Sequence, residues 1–217
     1  MGGAAYRTAT REDLPAVGRV YVRAFRTTLE QFESPDLSPL AVADVARACI
    51  EAEPDCIGVA EADGEIVGYI IAVSDVRRIW RAGMLRGTLF VLFWRWMTGR
   101  YRLTLKAVRH IIADKLSFWR AARTPGARCP RILSLAVDPD WQGKGIAKGL
   151  LPGAIERLRA RGCDCVRLEV RPENEAARRL YEGSGFELVG RFEDSRGPWD
   201  VMMLELGQGR ATADKRR

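Results

Sequence analysis

The sequence predicts a single mixed α/β domain, with a central mixed sheet flanked by helices and a helical insert ahead of one central strand. Three observations carry this expectation. A strong hairpin signal stands early in the chain, strand and helix patterns alternate through its last third, and an arginine-rich aromatic stretch separates the two. The length of 217 residues, 47% hydrophobic and 29% charged, suits one globular domain with a sizeable core, so a second full domain is not expected.

Tyr6 to Ala9 read as a short first strand. TREDLPAVGRVYVRAF then carries a helix start: Thr10 as cap, acids in the first turn, and Leu14, Val17, Val20 and Tyr21 at helical spacing. Ser38 to Glu51 predict a second helix. CIGVAEADGEIVGYIIAV alternates about Ala62-Asp63-Gly64, which predicts a hairpin. After the insert, ILSLAVDP predicts a buried strand, GIAKGLLPGAIERLRARG a helix closed by Gly162, and CVRLEV the next strand. NEAARRLYEGSGF predicts a helix stopped by Gly183 and Gly185, and FELVGRF with WDVMMLEL a final hairpin. Pro152 removes a backbone donor in the helix after the glycine-rich loop and predicts a kink there. The expected layout is one domain over residues 1–206, carrying a basic amphipathic helical insert at 75–128, and a disordered tail at 207–217.

Five cysteines (Cys49, Cys56, Cys129, Cys163 and Cys165) form no CxxC pair and no set with metal spacing, so reduced thiols and no zinc site are expected. The start of the chain lacks the apolar core of a signal peptide, and no apolar run is long enough to span a bilayer. A cytoplasmic location is expected. The net charge of +7 is not spread evenly: residues 75–128 hold thirteen Lys and Arg against Asp75 and Asp114, a local +11 that leaves −4 for the remainder. A partner inferred from charge concerns that segment first.

DPDWQGKGIAKGLL, residues 138–151, follows a strand and opens a helix, a place where backbone N–H groups can close around an anion. It is not a P-loop, because five residues after Gly143 comes Lys148 and then Gly149 rather than Gly-Lys-Ser/Thr. It is not a dinucleotide fingerprint either, because Lys148 stands where the third glycine belongs. Gln142-x-x-Gly145-x-Ala147 instead resembles the pyrophosphate-binding signature of the GNAT N-acetyltransferase superfamily. LEVRPENEAARRLYEGSGF, residues 168–186, resembles a later motif of the same superfamily in the same order and spacing, through Asn174, Ala177, Leu180, Tyr181, Gly185 and Phe186. The resemblance covers residues 132–206 closely and 6–74 loosely.

The resemblance implies a GNAT-like fold, acetyl-CoA as acyl donor with no metal, and transfer to a primary amine by direct attack in a ternary complex. It places CoA on Gln142, Gly143, Lys144, Gly145, Ile146, Ala147 and Lys148. The splayed strand before the loop offers backbone groups at Leu135, Ala136 and Val137 to pantetheine and the thioester, and Asn174 would hydrogen-bond the CoA arm. LEVRxxN and LY resemble the ribosomal-protein alanine N-terminal acetyltransferase branch, which implies Glu169 as base and Tyr181 as acid. A glutamate near its ordinary pKa of about 4.3 needs partial desolvation or a water relay to deprotonate an ammonium, whereas a tyrosine near 10 is protonated at neutral pH. Each role has a structural rival: Tyr181 as a packing residue, Glu169 as an ion-pair partner of Arg167 or Arg171, and Asn174 as a helix cap.

The insert carries GTLFVLFWRWMTG and a second stripe of Leu105, Val108, Ile112, Leu116 and Trp119 beside Lys106, Arg109 and Arg120, which predicts at least two amphipathic helices. Three readings stand open. The helices pack most of their apolar residues on their own domain or on a second copy in a homodimer, lie on an anionic membrane surface, or bind nucleic acid. The first is preferred and nucleic acid is not the expected partner. His110 is expected to be exposed and without chemistry. The acceptor is left between a peptide N-terminus and a small or lipid-linked amine. A rival from another class is a non-catalytic acyl-CoA-binding module that docks through its insert.

Overall fold

A computed structural model describes residues 3–31, 34–104, 126, 129–194 and 197–207. The second apolar stripe of the insert, His110, and the expected tail beyond Gly207 lie outside the described residues.

Seven strands form one sheet: β1 (Ala5–Thr8), β2 (Ile57–Ala62), β3 (Glu65–Val73), β4 (Arg131–Val137), β5 (Cys165–Val170), β6 (Glu187–Asp194) and β7 (Gly197–Glu205), in the order β1-β2-β3-β4-β5-β7-β6. Every neighbouring pair is antiparallel except β4 and β5. A parallel step needs a crossover, and α6 (Ile146–Ala160) supplies it. The other described α-helices are α1 (Leu14–Ala24), α2 (Arg26–Gln31), α3 (Pro39–Ala52), α4 (Val76–Leu85), α5 (Thr88–Met97) and α7 (Glu175–Glu182).

Strand alternation divides the core between the two faces of the sheet. Ile70, Ile132, Val137 and Leu168 pack with Leu150, Tyr181 and Phe186 on one side, and Val59, Tyr69 and Ile71 with Leu14, Val17 and Ala46 on the other. The predicted β2–β3 hairpin turns on Asp63 (φ 52°) and Gly64 (φ 79°), both in the left-handed conformation that a two-residue turn of this kind requires. Gly68 lets α6 approach β3 closely, since a Cβ there would lie 2.9 Å from Ile146 Cγ2. Ser38 caps α3 by accepting from Leu40 N–H at 3.3 Å. The helix α6 runs unbroken from Ile146 to Ala160 with Pro152 inside it.

One expectation needs correction. Cys129 and Cys165 form a disulfide, with Cα atoms 5.6 Å apart. The reason is register: Arg131 pairs with Arg167 across the parallel strands, and each cysteine stands two residues before its paired arginine. Cys49, Cys56 and Cys163 take part in no disulfide among the described residues. Within the described residues the insert packs only part of its apolar side chains on its own domain. Leu92, Trp96 and Tyr101 pack near Leu29 and Ala41, but Phe90, Val91, Phe93, Trp94 and Met97 of α5 are exposed. The cause is Arg95, the helix's one charged residue, which turns inward to Asp44 at 2.5 Å, where Tyr101 also donates at 2.7 Å.

Candidate active site

β4 and β5 are joined at one end only. Arg131 pairs with Arg167, Arg167 N–H donates to the Pro130 carbonyl at 2.8 Å, and no further ladder pair follows. On its other edge β4 is zipped to β3 through Val137 opposite Gly68, and Asp138 N–H continues that ladder to the Val67 carbonyl at 2.8 Å. Antiparallel alternation then turns the N–H and C=O groups of Ser134 and Ala136 toward β3, and those of Leu135 and Val137 toward the gap beside β5. Leu135 therefore turns both of its main-chain groups into the gap, and Val137 its N–H, since Gln142 takes the Val137 carbonyl. Ala136 does not, because its main chain is committed to Tyr69 and its side chain to the core.

The mouth of the gap is the glycine-rich loop. A 3-10 turn over Pro139–Trp141 is capped by the Asp138 carboxylate, which accepts from Asp140 N–H at 3.1 Å. Arg23 of α1 clamps this turn through Asp138 at 2.6 Å and Asp140 at 2.8 Å. Gly143 (φ 76°) and Gly145 (φ 81°) adopt left-handed backbone with open space where a Cβ would stand, so conformation rather than crowding calls for glycine. The N–H groups of Gly143, Lys144, Gly145, Ile146, Ala147 and Lys148 have no acceptor among the described residues. They lie at the positive end of α6, which makes an anion cradle.

The side chains of this loop do other things. Gln142 Nε2 donates to the Val137 carbonyl at 3.2 Å, bracing the loop against β4. Lys144 Nζ lies 4.3 Å over the Trp141 ring. Ile146 is buried in the core, and Lys148 is exposed. The cradle is thus main chain, with two lysines adding positive charge near it.

Asn174 caps α7, its Oδ1 accepting from Ala177 N–H at 3.1 Å, so its cap role is present. Its amide NH2 has no partner among the described residues and remains a donor for a ligand. Tyr181 is buried in the same core cluster as Val137 and Leu168, with its ring centroid 5.7 Å from that of Phe186. Burial pushes its hydroxyl up to about 12, so it stays protonated throughout the neutral range. Glu169 lies on the opposite face of β5, where Arg167 Nε donates to Oε1 at 2.9 Å and Arg131 Nη1 stands 3.4 Å away. Of the two arginines expected as its partners only Arg167 is one, because Arg171 bonds Asp194 at 3.0 Å and covers the Trp199 ring at 4.0 Å.

Sequence reasoning missed Arg131 and Arg23. Neither has a local signal: Arg131 meets Glu169 only through the parallel register, and Arg23 meets Asp138 across 115 positions of chain. Together the groups can hold a phosphorylated ligand at the loop, an extended arm along β4, and a proton donor and a carboxylate on the two sides of the sheet.

The acetyltransferase (GNAT) family model matches residues 19–186, which is most of the chain. Mycothiol acetyltransferase of Beutenbergia cavernae is 47% identical over 73 residues, 34% of this chain and 24% of that protein. The ribosomal protein bS18-alanine N-acetyltransferase of Haemophilus ducreyi is 45% identical over 58 residues, 27% of this chain and 40% of that protein. The chain thus spans well under half the length of these relatives. Among solved structures, the acetyltransferase-like yncA of Salmonella typhimurium, determined with its cofactor acetyl-CoA, superposes with a TM-score of 0.58 at 19% identity, covering 99% of this chain and all of that one. With strand order, one-ended β4–β5 pairing and anion cradle in agreement with the sequence match, this chain belongs to the acetyltransferase (GNAT) family.

Proposed function

We propose that the chain transfers an acetyl group from acetyl-CoA to a primary amine by direct attack in a ternary complex. The observation that carries this reading is the row of N–H groups from Gly143 to Lys148, without acceptors among the described residues, at the mouth of a gap where β4 leaves its β5-facing edge open beyond Arg131. The pyrophosphate takes the cradle, and the pantetheine arm extends β4 through Leu135 and Val137 in the manner of an added strand. The Asn174 amide donates to the same arm. A main-chain N–H in the gap stabilises the oxyanion as the amine nitrogen adds to the thioester carbonyl.

Collapse of that intermediate breaks the C–S bond, and Tyr181 donates its hydroxyl proton to the departing thiolate. Glu169, oriented by Arg167 and Arg131, takes the amine proton through a water relay. Residues 1–206 form the catalytic domain on this reading, with 75–128 as its insert, and the enzyme works in the cytoplasm, where acetyl-CoA is made. The relatives' names, one for mycothiol and one for a ribosomal-protein alanine, do not agree on an acceptor. Peptide N-termini, amino sugars, polyamines and lipid-linked amines therefore form the test panel. Acceptor-dependent release of CoA thiol is the expected result. Tight acetyl-CoA binding without turnover across the panel would make the chain a binding module instead, and no acetyl-CoA binding would remove both readings.

A further inference from the structure

We propose that α4 and α5 form a docking face for an anionic bilayer surface, independently of the acetyl-transfer reading. α5 is inverted relative to an ordinary surface helix. Its single charge, Arg95, points inward to the buried Asp44, while Phe90, Phe93, Trp94 and Met97, at spacings of three and four, point outward. Trp94 is 60% exposed and Phe90 68%. α4 repeats the spacing with Arg77, Trp80, Arg81 and Met84. The two helices lean on each other at Gly83, where a Cβ would sit 3.5 Å from Leu89, so their exposed stripes belong to one unit.

Charge selects the occupant. From Val76 to Thr104 the chain has seven arginines and no lysine, aspartate or glutamate. Arg77, Arg81, Arg100 and Arg102 are exposed and form no ion pair among the described residues. An apolar, tryptophan-bearing face rimmed by unpaired arginines matches the headgroup boundary of an anionic bilayer, with side chains in the acyl region and guanidiniums at the phosphates. A nucleic acid backbone fits poorly, because α5 presents no outward charge to it. No helix among the described residues is long and apolar enough to cross a membrane, which suits attachment at the surface.

Sedimentation of the full chain with phosphatidylcholine vesicles, with and without phosphatidylglycerol, tests this. Binding is expected only with phosphatidylglycerol and is expected to weaken as salt rises. Trp94→Glu should abolish it, and Arg81→Gln should weaken it about fivefold. Both residues are exposed, so circular dichroism and acetyl-CoA binding should match the parent chain. Several results would overturn the proposal: no vesicle binding, equal binding to neutral vesicles, or binding unchanged in Trp94→Glu. So would a concentration-dependent dimer in light scattering that Trp94→Glu dissolves, since a second copy would then cover the face.

Discussion

Replacing Tyr181 by phenylalanine removes one oxygen from a ring that is otherwise held in place. The side chain is 7% exposed, its ring packs on Phe186, and its hydroxyl has no hydrogen-bond partner among the described residues. No intramolecular bond is lost, so stability at neutral pH should change by less than about 1 kcal/mol. Turnover should behave differently. General acid catalysis contributes about a hundredfold to ten-thousandfold, or about 3–5 kcal/mol of barrier, so kcat should fall at least about a hundredfold. Acetyl-CoA affinity depends on the loop main chain and should move by less than about threefold. Titration offers an independent reading. Burial raises the hydroxyl from 10.0 to about 12, so below pH 10 it is neutral in the folded and unfolded chain alike. Between pH 10 and 12 the unfolded chain ionises first, which withdraws about 3 kcal/mol from the folded state, and Tyr181→Phe should lack that loss. Steady-state kinetics, calorimetric binding and alkaline denaturation measure the three quantities. An unchanged kcat with intact binding would remove Tyr181 from the mechanism, and equal losses in kcat and affinity would reduce it to packing.

Gly145→Ala should cost about 1 kcal/mol of stability, because φ of 81° is left-handed and no atom crowds the new methyl. Calorimetry should show acetyl-CoA binding weakened by about tenfold as the first N–H groups of α6 turn away; unchanged affinity would remove the anion cradle. Arg95→Ala leaves the Asp44 carboxylate, 4% exposed, with Tyr101 as its remaining partner, and should cost about 3–5 kcal/mol in urea denaturation. Adding Asp44→Asn should restore much of that, and a loss below about 1 kcal/mol would mean the pair is not formed. Hydrogen bonds from Arg7 hold Asp13 at about 2, below its ordinary 3.8, so its contribution is complete above pH 3.8 and is lost as pH falls toward 2. With Arg7 39% exposed, solvent screening reduces that contribution to about 1 kcal/mol. Asp13→Asn should destabilise the chain by that amount at pH 6 and not at pH 2, and a pH-independent difference would refute the pairing.

Much of the candidate site's backbone geometry was legible in residues 138–151, because a glycine-rich turn at a helix start is a local device. Left-handed glycines, a strand before and a helix after all lie within a few turns of chain. The disulfide was not legible, since its cysteines are 36 positions apart and meet only when β4 and β5 pair in one register. The same register gave Glu169 its second arginine and took Arg171 away. Ala136 illustrates the limit at a single residue: its place in the strand could be read, but whether its N–H faces β3 or the gap depends on which residue of β3 stands opposite.

By itself the sequence determined the order of elements, the Asp63-Gly64 turn and the glycine-rich turn between β4 and α6, because these follow from backbone preferences and periodicities within short windows. Only the tertiary structure decided which β4 groups open into the gap, which arginines hold Glu169, and that α5 turns its arginine inward and its aromatics outward. TLFVLFWRWM has too little polarity to choose a face for itself. Asp44, fixed in α3, makes that choice, because a buried carboxylate without a cation costs more than a few aromatic rings left in water.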